Sequence, residues 1–171
     1  LAIVSPFRRE GRSYLAANLA IVFSQLGERT LLIDADLRHP RQHQMFQLET
    51  EEGLSAVLAG HLRLSDAIRN VPDLMDLSVL PAGITPPNPQ ELIARGAFNM
   101  RIRELGEDYD AIIVDTPEIE GIADVHLIAS ATGAALMIAQ QGDTSVAAVR
   151  VATDALRQVG VTVIGSVLMR K

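Results

Sequence analysis

Short runs of β-branched and aliphatic residues recur along the chain: LAIVS, RTLLIDAD, AIIVDT and ALMIAQ, with TVIGSVLM closing it. Each is apolar at consecutive rather than alternate positions, the pattern of strands buried on both faces of a parallel sheet. Segments of helical period separate them, which predicts right-handed crossovers packed over one central sheet. DLSVLPAG at residues 76–83 adds a further strand. The expected fold class is a layered α/β domain around a mostly parallel sheet.

The helices between are legible in detail. Residues 12–26 place Leu15, Leu19, Val22, Phe23 and Leu26 on one stripe, and Gly27 follows as a C-terminal stop. Asn88, Pro89 and Glu91 read as N-cap, N1 and N3, with the Asn88 and Glu91 side chains satisfying free amides of a helix expected to reach about Asp108. Residues 144–159 form another amphipathic segment, ended by Gly160.

With 171 residues, 48% of them hydrophobic, the chain can bury one sizeable core, so residues 1–171 are read as a single domain. A formal charge of −6 argues against a nucleic-acid partner, which calls for a clustered excess of Lys and Arg. Without cysteine there is no disulfide framework and no thiolate metal site. No apolar stretch approaches the roughly 20 residues of a membrane-spanning helix. Leu1 already lies inside a strand-like run, and the chain is therefore read as a piece of a longer polypeptide.

The chemistry gathers at strand ends. Asp34 and Asp36 leave LLIDAD, and Asp115 closes IIVD. Ligands of open parallel sheets bind beyond the carboxyl ends of the strands, so these carboxylates should converge with the loop of residues 5–13 that joins the first strand to the first helix. Ser13 supplies a hydroxyl, and a hydroxyl with carboxylates near its water shell suits Mg²⁺ bridging phosphates. Any one of the aspartates could equally cap a turn; the three together with the loop point to a site. The loop itself departs from G-x-x-x-x-G-K-[ST]: Pro6 stands at the first glycine and Arg12 at the lysine, while Gly11 and Ser13 match.

GRSYLAANLA, LLIDADLRHP, GLSAVLAG, AGITPPNPQELI, YDAIIVDTPE and the closing GSVLM, in that order, resemble the cytoplasmic kinase domain of bacterial tyrosine kinases, above all those governing exopolysaccharide chain length. The resemblance covers nearly the whole chain and implies a P-loop NTPase-like fold of the MinD and ParA type. It implies ATP and Mg²⁺ as cofactors, with autophosphorylation and phosphorylation of partner tyrosines. Phosphates would rest on Glu10, Gly11, Arg12, Ser13 and Tyr14, with Arg38 supporting phosphates or a neighbouring subunit. Mg²⁺ would be held by Ser13, Asp36 and Asp115, and Asp34 would accept the tyrosine proton, making Asp34, Asp36 and Arg12 the catalytic group. The implied setting is the inner face of the cell membrane, as a homo-oligomer in the longer form with a membrane polysaccharide co-polymerase or adaptor.

Departures from the family pattern bear on that chemistry. The family loop reads P-G-E-G-K-S-T, whereas this chain has Arg8, Arg9, Arg12 and Tyr14 for its proline, glycine, lysine and threonine. A non-glycine residue at 9 is costly if φ must be positive, and the planar fork of Arg12 cannot fill a compact lysine position. Glu118 replaces a proline after D-T-P, and Met169 an asparagine that helps hold adenine in the wider fold. Impaired activity is the expectation. The alternatives are a non-catalytic regulatory module of the same polysaccharide complex and, behind it, a MinD- or ParA-type ATPase, disfavoured because Phe7 holds the place of that subgroup's second lysine. His39 and His43, four residues apart, read as a solvated surface pair rather than as metal ligands.

Overall fold

The computed structural model describes residues 1–48 and 51–170. Seven strands form one sheet: β1 (Ala2–Val4), β2 (Thr30–Asp34), β3 (Arg69–Val71), β4 (Leu74–Leu80), β5 (Ala111–Asp115), β6 (Ala134–Gln140) and β7 (Thr162–Met169). They lie in the order β3-β4-β2-β5-β1-β6-β7, parallel throughout except for the β3–β4 pair. β3 is absent from the sequence reading because three residues, R-N-V, carry no apolar run.

Alternate side chains of the central strands enter two cores. Ile3, Leu32, Leu77, Val79, Ile113 and Ile138 meet α1 (Arg12–Gln25) on one face. Ala2, Val4, Leu31, Ile33, Val114 and Met137 face the helices that follow β2 and the later strands. This two-sided burial is the reason the central strands read as unbroken apolar runs. TVIGSVLM breaks the expectation: β7 lies at the sheet edge, and Ile164 and Leu168 are exposed.

The stripe expected on α1 is displaced. Ala16, Ala17, Ala20 and Ser24 make the buried line, whereas Val22 and Leu26 are exposed. Small side chains let the helix lie close on the sheet, and Leu15, Leu19 and Phe23 pack along its flanks. The helix expected from Pro89 to about Asp108 is two helices, α2 (Pro89–Ala94) and α3 (Ala97–Leu105), because Gly96 between them takes φ 75°. Asn88 makes no side-chain cap; its Nδ2 donates to Glu91 Oε2 at 2.7 Å instead. The segment at 144–159 is α4 (Val146–Gln158), where Ser145 Oγ accepts from Ala148 N–H and Gly160 has φ 80°. Among the described residues, no helix is long and apolar enough to cross a membrane.

Candidate nucleotide site

Parallel register brings the acidic strand ends together. Asp34 and Asp115 are direct partners on β2 and β5, and Ile3 of β1 pairs with Asp115 on its other side. The loop leaving β1 therefore emerges beside Asp115. Within it Arg9 has φ 65° and Gly11 φ 93°, so the backbone reverses twice before α1 starts at Arg12. The positive φ expected at 9 is present, on an arginine rather than a glycine.

Glu10 is buried and braces this loop. One oxygen accepts from Phe7 N–H at 2.8 Å and the other from the Thr144 hydroxyl, which ties the loop to the segment after β6. Met169, at the end of β7, covers Gly11 so closely that a Cβ there would stand 3.2 Å from its Cε. Residues 8–14 with Asp36, His39, Arg41, Gln44 and Met45 enclose a cavity of about 340 Å³, within the range of small-molecule sites. A second cleft of about 730 Å³, lined by Arg29, Met75, Arg101 and Tyr109 among others, contains none of the candidate site residues named from the sequence.

The aspartates take separate parts. Asp34 is fully buried, and its Oδ2 accepts from the N–H groups of Arg41 and Gln42, both at 2.9 Å. Asp36 Oδ1 accepts from Arg38 N–H at 3.2 Å and His39 N–H at 2.9 Å, while the residue lines the cavity. Turn capping is thus real for both, and it fixes the loop that presents Asp36 to the cavity. Asp115 is buried against the Ser13 hydroxyl and accepts from Gln42 Nε2 at 2.8 Å.

Gln42 went unnoticed in the sequence. It is fully buried, and its Nε2 also donates to Ser13 C=O at 3.0 Å, so one amide joins the start of α1 to the end of β5. Nothing in the surrounding polar residues R-Q-H-Q marks it out. Its Oε1 and Asp115 Oδ1 are buried without a hydrogen-bond partner. Two orphaned acceptors beside a serine hydroxyl fit a hydrated cation, whose waters donate. Among the described residues no group of three or more His, Asp or Glu side chains is placed to hold a metal, so a cation here takes its remaining ligands from phosphate and water.

Burial dominates the electrostatics. It pushes Asp115 up to about 6, opposed by the donors Gln42 and Ser13 and by the charge of Arg12. Asp34 is driven well above the usual carboxylate range by burial and then by the charge of Asp115. A carboxyl whose folded pKa is raised gives stability that is full below its unfolded value and is lost as pH rises through the folded one. The nucleotide-free chain should accordingly lose stability between about pH 4 and pH 6 as Asp115 ionises, on the order of 3 kcal/mol. Urea unfolding at pH 4 and pH 7.5 checks this, and Asp115→Asn should reduce the difference, the remainder belonging to Asp34, whose pKa is also raised.

Arg12, which also borders the cavity, is almost wholly buried, and its guanidinium is held by the protein's own acceptors. Nε donates to Thr116 C=O at 2.9 Å, Nη1 to Phe7 C=O at 2.8 Å and to Ser5 Oγ, and Nη2 to Glu118 at 3.4 Å. Fixed acceptors around a five-donor fork favour this pose. Glu118, at the position of the family's proline, is the charge partner. Arg38 is likewise engaged elsewhere, its Nε and Nη2 donating to Asp124 Oδ2 at 3.1 and 2.9 Å. Tyr14 is exposed at the cavity rim.

A family profile described as AAA domain matches residues 10–159. The putative tyrosine-protein kinase CapB of Staphylococcus aureus is 37% identical over 98% of this chain and 73% of its own length. The chain belongs to the bacterial tyrosine-protein kinase family. Among solved structures, the kinase domain of the Escherichia coli tyrosine kinase ETK superposes with a TM-score of 0.94 at 31% identity, over 99% of this chain and 67% of that one. Some family members are much longer: the chain spans 22% of the E. coli tyrosine-protein kinase etk. The septum site-determining protein MinD of Pyrococcus horikoshii, complexed with Mg-ADP, shares the fold with a TM-score of 0.85 at 22% identity, over 98% and 68% of the two chains. The P-loop NTPase-like α/β class is therefore the fold of this tyrosine kinase family member.

Proposed function

We propose that the chain is an ATP-dependent protein tyrosine kinase domain that regulates exopolysaccharide chain length and export. The observation that carries this reading is the cavity shared by the Gly11–Ser13 turn and Asp36 beyond the parallel strands, with Asp115 buried next to Ser13. Phosphates would lie on the amides of Glu10 to Ser13 at the start of α1. The cation would sit at Ser13, with Asp36 and Asp115 accepting from its waters; bound Mg²⁺ neutralises charge on the outer phosphates. The acceptor proton goes to Asp36 rather than Asp34, since Asp36 lines the cavity and its Oδ2 has no partner among the described residues.

The names of CapB and ETK support the tyrosine specificity, and a solved chimera, CapA2B2, supports action together with a partner. In the same reading, the longer form assembles as a homo-oligomer at the inner face of the membrane with a polysaccharide co-polymerase or adaptor. Incubating the full chain with Mg²⁺, γ-labelled ATP and a Glu–Tyr copolymer tests the activity, and label on tyrosine is the expected result. The withdrawal of Arg12 favours one second reading, a non-catalytic regulator. ATP that neither binds in calorimetric titration nor labels tyrosine would select it.

A further inference from the structure

The loop has withdrawn its motif cation and gained two others. Arg12 is locked by Thr116, Phe7, Ser5 and Glu118, so moving it toward a phosphate would leave buried acceptors unpaired and Glu118 without its charge partner. Arg8 and Arg9 line the same cavity as Ser13 and Asp36, are exposed, and form no ion pair among the described residues. Arg9 does so from φ 65°, a conformation that favours glycine. Backbone strain of this kind persists where the surroundings over-determine it, and it clusters at ligand clamps.

We propose that Arg9, with Arg8 beside it, supplies the positive charge for the outer phosphates of the nucleotide, in place of the cation at position 12. This rests on the nucleotide reading above. An arginine fork suits the task because it bonds two phosphate oxygens at once. The Glu10 carboxylate next to it does not compete, since its oxygens are taken by Phe7 N–H and the Thr144 hydroxyl. Asp36 points one oxygen into its own turn, and Arg41, which also lines the cavity, donates from Nη1 to Gln44 Oε1 at 3.1 Å.

Arg9→Gly separates a phosphate role from a structural one because the two predict opposite signs. Relief of the strained φ should raise the urea midpoint, while affinity for Mg·ATP should fall about 10- to 100-fold by loss of a charge-assisted phosphate contact. Affinity for AMP, which lacks the outer phosphates, should stay within about twofold by the same argument. Arg9→Lys, which keeps the charge but not the fork, should recover part of the Mg·ATP affinity. Calorimetric titration of the full chain with both nucleotides reads the affinities, and urea unfolding reads the midpoint. Equal Mg·ATP affinity in wild type and Arg9→Gly would overturn the assignment, as would an equal loss for ATP and AMP. A wild-type chain that binds neither nucleotide would overturn the nucleotide reading itself and this assignment with it.

Discussion

Arg12→Met is expected to destabilise the chain by about 3–5 kcal/mol, the cost of removing one partner from a buried, hydrogen-bonded charge pair. The guanidinium satisfies Thr116 C=O, Phe7 C=O and Ser5 Oγ, and it neutralises Glu118, which is itself largely buried. Methionine matches the length of the stem but removes the donor to Thr116 C=O and Ser5 Oγ and the charge beside Glu118, leaving Phe7 C=O only the Ser5 hydroxyl. The drop should appear as a lower urea midpoint with an unchanged slope. Arg12→Lys keeps the charge but reaches fewer acceptors, so its cost should be smaller, about 1–3 kcal/mol. The double change of Arg12→Met with Glu118→Met should recover part of the loss, because it no longer strands a buried carboxylate. A single Arg12→Met variant as stable as the parent would mean that the fork does not hold the loop to the end of β5.

Asp36→Asn should lower kcat for tyrosine phosphorylation by about 10²- to 10⁴-fold, the range for loss of a positioned proton acceptor. Asparagine keeps an oxygen for the N–H groups of Arg38 and His39, so the turn should survive, and the KM for Mg·ATP should rise by less than kcat falls because Ser13 and Asp115 still hold the cation. Asp34→Asn gives the contrast. Asp34 is buried, its pKa is raised, and its role is to accept from Arg41 and Gln42, which an amide oxygen also does. Its kcat should therefore fall less than that of Asp36→Asn. Steady-state kinetics with separate kcat and KM values decide the matter, and the reverse ranking would return the acceptor role to Asp34.

Most of the architecture was legible because the parallel strands are buried on two faces and announce themselves as apolar runs. The β1, β2, β5 and β6 runs coincide with observed strands. Legibility failed where local pattern and packing part ways. Gly96 divides a helical stretch by adopting a left-handed conformation that its neighbours do not advertise. The buried line of α1 is alanine because proximity to the sheet selects small residues, whereas apolar periodicity favours the leucines beside it. At the site, the three aspartates and the loop were found by their place at strand ends. Their division of labour was not, since it depends on which backbone amides the turn after β2 offers. Gln42 was invisible for the same reason: a glutamine becomes a bridge only through what the fold sets around it. The proposed exchange of roles between Arg9 and Arg12 rests on side-chain direction, which spacing does not encode.

A crystal structure of the full chain with Mg²⁺ and a non-hydrolysable ATP analogue tests the central claim most directly. The account predicts phosphates on the amides of Glu10 to Ser13, the metal between Ser13 and the Asp36–Asp115 pair, and the Arg12 guanidinium still on Thr116 C=O. Nucleotide bound only in the cleft by Arg29 and Tyr109, or a crevice that stays empty at saturating analogue, would contradict it.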